Sequence, residues 1–364
     1  MEIVEMKKRI SIALIIVVAL LGRACKKDDL MRDDDLTIIK DEVTGTPYTI
    51  LRPAGFPDIQ FPPDNPTTVE GIALGRRLFY DPILSADSTL SCAGCHAQKY
   101  AFSDSGRQFS TGIDSIEGNR NASAIMNVIW SKDFFWEGRS KGLEEQALEP
   151  VPNPVEMHQM WLDAEKKLNA HPEYPDMFLD AFGTKVITSD LVVKAIAQFE
   201  RIMISADSRY DKILRNEDFF TEEELRGREI YTTEKGDCFH CHPVTGGLFM
   251  DNIFHNNGLD SVFSDVGREA VTGLAKDRGK FKTPTLRNIE FTAPYMHDGR
   301  FKTLEEVIDF YSEGLVNSAT IDPLMKNVHK GGVQLSPDEK ADLIAFLKTL
   351  SDYGFLFNPE LSEP

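Results

Sequence analysis

A mainly α fold in two similar halves is predicted by three features of the chain. The pentapeptide Cys-x-x-Cys-His occurs twice, at residues 92–96 and 238–242. Each copy follows a stretch of one pattern, "GRRLFYDPILSADSTLSCAGCH" from Gly75 and "GREIYTTEKGDCFHCH" from Gly227. Both stretches open on Gly-Arg, then an aliphatic residue and an aromatic. Each half also ends in a segment with apolar residues at helical spacing, and strand signals are sparse throughout.

The chain begins with a basic segment and a short apolar run, "MKKRISIALIIVVALLGRACKKDD", in which Ile10 to Leu21 is too short to span a bilayer comfortably. These flanks fit a secretory signal. Cys25, just after small Ala24, resembles a bacterial lipoprotein cleavage site, although Arg23 departs from that pattern. An uncleaved anchor with an incidental cysteine is the alternative. The expectation is a signal segment over 1–25, lipid on Cys25, and a membrane-anchored chain exported to the periplasm. Residues 26–64, with "KKDDLMRDDD" and scattered prolines, are expected to form an acidic, solvated tether.

The remainder is long enough for two domains, placed at 65–215 and 216–364. The first closes on Leu191, Val192, Ala195, Ile196, Phe199 and Ile202, one helical face behind Ser189 as the expected N-cap. The second closes behind Ser336-Pro337-Asp338-Glu339, a capping box with proline at the first helical position. Leu343, Ile344, Phe346, Leu347 and Leu350 then carry the apolar face.

Cysteine usage assigns the chemistry. The chain has five cysteines, and Cys92, Cys95, Cys238 and Cys241 all fall inside the pentapeptides. A Cys-x-x-Cys pair can be a redox dithiol, half of a zinc site or a haem attachment point. The histidine directly after the second cysteine favours haem. Two thioethers would fix the porphyrin, and His96 and His242 would each lie under an iron. The zinc alternative would have to gather Cys238, His240, Cys241 and His242 into a tetrahedron, which such close neighbours do not easily make. Two covalently bound haem c groups are therefore expected, each in a cytochrome c-like helical domain with long wrapping loops.

Charge narrows the partners. Asp and Glu number 58 against 40 Lys and Arg, so nucleic acid, which demands phosphate neutralisation, is excluded. An acidic surface can steer a basic electron-donor protein. Homodimerisation is left open. The sixth position of each iron decides between carrier and enzyme, and His158, His171, His240, His255, His297 and His329 remain as candidates with eleven methionines.

The stretches "CAGCH", "FFWEGRSKGLEEQALEPVPNPVEM" and "TPTLRNIEFTAPYMHDGRFKTLEEVIDFY" resemble the bacterial dihaem cytochrome c peroxidases and their MauG-like branch. The resemblance runs from about Asn65 to Tyr353. It implies that His96 holds the haem where hydrogen peroxide reacts and His242 the haem that supplies electrons. It makes Glu156 the distal acid and base, Gln146 a second distal polar group and Trp136 the relay between haems. It also implies calcium held by Asn121 and by Thr292 and Pro294, the last two through carbonyls. These residue types suit their roles: a carboxylate moves the peroxide proton, an amide orients the peroxide, and calcium takes hard oxygen ligands. Without the resemblance, Trp136 reads as a core aromatic, Glu156 as an ordinary helix-start acid and Asn121 as a turn residue.

Two positions depart from the peroxidases of that family. Where they carry a histidine that caps the peroxidatic iron, this chain has Ile113, which implies a five-coordinate iron needing no reductive activation. Where they carry a methionine on the second iron, this chain has Tyr311. Thr303 and Glu306 form a capping box, and Leu304, Val307, Ile308 and Tyr311 share one helical face. That face fits an iron ligand, as in MauG-like proteins, and also a core tyrosine, with Met296 and Met325 as other ligands. A phenolate would lower the haem potential where methionine raises it. The functions expected are a peroxidase using an external cytochrome-type donor, a MauG-like oxidase that turns high-valent haem on a partner protein, or a non-enzymatic electron carrier.

Overall fold

The computed structural model describes residues 44–104 and 106–364. The signal segment with Cys25 and residues 26–43 of the tether lie outside the described residues. Among the described residues, no helix is long and apolar enough to cross a membrane.

Among the described residues helices dominate, and the strand content is one antiparallel pair, Phe254–His255 with Phe281–Lys282. Two helix crossings organise the halves. Helix Val69–Tyr80 packs on helix Ser189–Arg201, and helix Glu222–Tyr231 packs on helix Pro337–Lys348. Each crossing is closed by a glycine. A Cβ on Gly75 would stand 1.9 Å from Ala195 O, and one on Gly227 would stand 1.9 Å from Asp342 O. The Gly-Arg repeat seen in the sequence is therefore a repeated point of closest helix approach.

The first crossing is buried under Leu74, Leu78, Phe178, Val192 and Ile196, and the second under Tyr231, Phe249, Leu343 and Phe346. Helix ends follow the capping expectations with one shift. Ser336 and Thr303 head capping boxes with Glu339 and Glu306. The first closing helix, however, is capped by Thr188 rather than Ser189, its hydroxyl accepting from Leu191 N–H. Either hydroxyl could serve, and the one whose backbone is still extended does.

Contacts cross both boundaries drawn from the sequence. Residues 44–64 are not a free tether. Tyr48 N–H bonds Thr67 O at 2.9 Å, Phe56 is 3% exposed against Trp130, and the Trp130 indole donates to Pro57 O at 3.0 Å. Phe56 supplies an apolar anchor that the acidic composition further upstream obscures. The division at residue 215 is also crossed. Phe355, Leu356 and Leu361 pack with Phe79, Phe102 and Phe199, and Arg76 donates to Ser362 O at 2.6 Å. The described residues accordingly fall into one compact unit.

Candidate active site

The two Cys-x-x-Cys-His turns carry matching geometry. Cys92–Cys95 is one helical turn with His96 at its end, and Cys238–His240 is a tighter turn leading to His242. His96 Nδ1 lies 3.0 Å from Phe102 O, and His242 Nδ1 lies 2.9 Å from Phe249 O. Both accepting residues adopt left-handed backbone, with φ of 57° and 52°. A carbonyl only accepts, so each Nδ1 donates and each Nε2 keeps a lone pair for a metal. Burial holds both imidazoles below their ordinary pKa, which favours the neutral ligating form.

The four motif cysteines form no disulfide. Burial pushes Cys92 and Cys238 each up to about 12, which disfavours their thiolates at neutral pH. The zinc alternative fails on geometry. His240 turns to Glu234 and Asp237, at 3.1 and 3.3 Å. Among the described residues, the clusters able to hold a metal are Cys241 with Asp251 and His255, and Glu234 with Asp237 and His240. Neither gathers the four ligands zinc would need.

Both turns open on one cavity of about 560 Å³. His96, Gln146 and Glu156 line it in the first half, His242 and Tyr311 in the second, and Trp136 also lines it. Paired thiols one turn apart, a free Nε2 and a largely apolar cavity fit a covalently attached haem in each half.

Gln146 projects from helix Leu143–Leu148. Glu156 sits in a loop where it accepts a hydrogen bond from Asn153 Nδ2 at 2.9 Å. Burial raises its pKa, while the charge of Arg139 and the Asn153 bond pull the other way. That loop is tied to Ile113, whose N–H donates to Glu156 O at 3.0 Å. The Ile113 side chain is not part of the cavity wall. Neighbouring Asp114 pairs with His158, whose half-exposed ring does not line the cavity either.

Leu304, Val307, Ile308 and Tyr311 all line the cavity, as their spacing predicts. Helix Leu304–Asp309 widens into a π-helical segment over Phe310–Gly314, which carries Tyr311. Burial pushes the phenol up to about 12, and its oxygen accepts from Asn257 Nδ2 at 3.0 Å. Met296 and Met325 line the same cavity.

Trp136 donates its indole N–H to Asn121 O at 2.8 Å, and Asn121 N–H donates to His297 O at 2.8 Å. The rings of Trp136 and His297 face each other edge-on, with centroids 6.5 Å apart. Asn121, Thr292 and Pro294 line the cavity, and the Asn121 amide donates to Arg107 O and Gln108 O at 3.2 and 3.1 Å.

Two cavity residues, Lys282 and Glu200, escape a reading of the sequence, and His255 and His297 stand there only among six candidate sixth ligands. His255 bridges Asp251 and Asp322 at 2.8 and 2.7 Å. Lys282 is pushed down to about 8 by burial and donates to Asp133 O at 2.8 Å. His297 was findable, because a second repeat carries it. "NVIWSKDFFWEGRS" at 127–140 matches "NIEFTAPYMHDGRF" at 288–301. Asn127 and Asn288 share φ of 54° and 56°, and both segments close with an antiparallel bridge, Phe134 to Ser140 and Tyr295 to Phe301. Trp136 and His297 are thus equivalent positions of the two halves.

A family model described as di-haem cytochrome c peroxidase matches residues 69–219. The chain is 35% identical over 295 residues to the methylamine utilization protein MauG of Methylorubrum extorquens, covering 80% of this chain and 81% of that one. It is 34% identical over 288 residues to the cytochrome c551 peroxidase of Nitrosomonas europaea, covering 79% and 81%. Among solved structures, a MauG-like protein associated with microbial copper homeostasis superposes with a TM-score of 0.80 at 38% identity, covering 87% of this chain and 99% of that one.

Proposed function

The chain belongs to the di-haem cytochrome c peroxidase family, a family of oxidoreductases, and from that premise we propose that it reduces hydrogen peroxide to water in its N-terminal half. Electrons enter through the C-terminal half from a small cytochrome-type donor and pass Trp136. The balance is one peroxide, two electrons and two protons to two waters. The observation that carries this reading is that Glu156 and Gln146 line the same cavity as His96, with Trp136 on its wall.

Bound haem would supply the iron at which peroxide is reduced and at which oxidising equivalents are held. His96 and His242 would hold the two irons through Nε2, and the four motif cysteines would hold the porphyrin edges. The remaining work belongs to side chains. Glu156 as carboxylate takes a proton from the inner peroxide oxygen and returns it to the outer one. Asn153 orients that carboxylate. The Gln146 amide aligns the peroxide. The Trp136 ring, fixed by its bond to Asn121 O, gives electrons a short aromatic path. Ile113 offers no ligand, so the site would react without prior reduction. Calcium would be held by neutral oxygens of Asn121, Thr292 and Pro294, the hard ligands this cation takes. Export and lipidation at Cys25 complete the reading.

A second reading, oxidation of residues on a partner protein as in MauG-like enzymes, is favoured by Tyr311. A phenolate on the second iron would resist reduction by ordinary cytochromes. The test is an electronic and EPR spectrum of the ferric protein before and after one equivalent of peroxide, followed by addition of reduced small cytochrome c. A high-spin signal lost to peroxide, then rapid consumption of the cytochrome, supports the peroxidase. A peroxide reaction with negligible cytochrome consumption favours the second reading. Two low-spin haems inert to peroxide would sink both.

A further inference from the structure

We propose that Glu200 is a redox-linked acid, which binds a proton when the N-terminal haem is reduced and releases it on oxidation. The proposal rests on the haem reading above. Glu200 lies near the end of helix Ser189–Arg201, is 4% exposed, and lines the cavity. Its carboxyl has no hydrogen-bond partner among the described residues. Its neighbour Arg201 is occupied elsewhere, by Glu144 and by Asn65 O at 2.9 Å.

The internal repeat makes the residue conspicuous. A Cβ on Gly75 would stand 3.0 Å from the Cβ of Phe199, and one on Gly227 would stand 2.9 Å from that of Phe346. The next residues, Glu200 and Leu347, are therefore equivalent, and both line the cavity. One half carries a carboxyl where the other is satisfied by leucine. An unpaired buried carboxylate is costly, and the C-terminal end of a helix opposes negative charge further. Burial, reinforced by Glu144 and opposed by Arg201, pushes Glu200 up to about 8. The titratable groups facing it are Glu144, Arg201 and Cys92, whose thiol would be a neutral thioether once haem is attached.

The coupling follows from charge. Reduction removes one positive charge from the haem beside the carboxyl, so the carboxylate becomes less favourable. The balanced step is ferric haem, carboxylate, one electron and one proton giving ferrous haem and carboxylic acid, with the electron from the donor and the proton from solvent.

The experiment is a spectroelectrochemical titration of the haem-loaded full chain at several pH values, with infrared redox-difference spectra. At fixed potential, the reduced fraction of the N-terminal haem should fall as pH rises, by up to about tenfold in reduced-to-oxidised ratio per pH unit. A protonated-carboxyl C=O band should grow on reduction. Glu200→Gln should flatten that slope and remove the band. Glu200→Leu, which gives the N-terminal half the residue its twin already has, should do the same and guards against a glutamine variant that fails to load. An unchanged slope in either loaded variant, or no band in loaded wild type, overturns the proposal alone. A wild-type chain that takes up no haem overturns the haem reading and this proposal together.

Discussion

The side-chain amide of Asn257 stands 3.0 Å from the Tyr311 hydroxyl and 3.7 Å from the Met296 sulfur. Two candidate iron ligands of opposite electronic effect therefore meet at one donor. The π-helical segment at Phe310–Gly314 presents the tyrosine, and the left-handed backbone at Met296, φ 72°, presents the sulfur. Removing one candidate therefore leaves the other in place at the same amide.

Tyr311→Phe removes the oxygen and leaves Met296 in place. Phenolate favours ferric iron and thioether favours ferrous iron, so the midpoint potential of the C-terminal haem should rise. The change should be on the order of 100 mV, well within the ~0.8 V that axial ligands command. A redox titration of wild type and variant checks it. Equal potentials would mean that Tyr311 is a core tyrosine and not a ligand.

Glu156→Gln keeps the shape and the Asn153 contact but cannot accept a proton. Peroxide turnover should fall roughly 10²- to 10⁴-fold. The pH profile adds a second signature. Burial raises the Glu156 pKa above 4.5, and the working form is the carboxylate. Turnover should therefore fall as pH drops through that raised value, with a limb above the usual carboxylate range. Steady-state rates across acidic to neutral pH should show the limb in wild type and its loss in the variant.

The haem-attachment pattern was legible in the chain because it consists of residues at fixed short spacing. Cys92, Cys95 and His96 lie on one turn whatever the tertiary fold, and so do their counterparts at 238–242. The capping boxes at Thr303 and Ser336 were legible for the same reason, since each is complete within four residues. Glu200 and Lys282 were not, and His255 stood out only as one of six candidate ligands, because the significance of all three is burial against a shared cavity, set by contacts distant in sequence. Phe56 was lost among acidic and proline-rich surroundings, although one buried aromatic is enough to dock a segment. The Trp136–His297 pairing lay in between. Its repeat is visible in the sequence, but the facing of the two rings follows only from how the halves meet.

Trp136→Phe retains an aromatic ring but deletes the 2.8 Å bond to Asn121 O and the more readily oxidised indole. The reaction of peroxide with the N-terminal half should be nearly unchanged in a single turnover. Steady-state consumption of a reduced donor should fall by about tenfold or more, since each electron must then cross a poorer path. Stopped-flow mixing with peroxide, set beside donor turnover, separates the two steps. Equal loss in both would place Trp136 in peroxide binding rather than in relay.

The repeated glycines set the closest helix approach inside each half. Gly75→Ala and Gly227→Ala each add one methyl at a point where backbone oxygen already stands 1.9 Å away. Alanine favours an isolated helix over glycine by about 1 kcal/mol, so local propensity alone would stabilise both variants. The crossing opposes this, because Ala195 O and Asp342 O are backbone atoms of rigid helices and cannot swing aside. Overpacking of this kind costs about 1–3 kcal/mol or more, and here the helices must separate to relieve it. Both variants should lose stability in chemical denaturation, by similar amounts because the two contacts are alike. Because the second helix of each pair also lines the cavity through Glu200 and Leu347, separation should reach the haem environment of the altered half and leave the other spectrum nearer to wild type. A stabilised variant would mean that the crossing yields, and that the repeated glycine reflects helix spacing less strict than 1.9 Å implies.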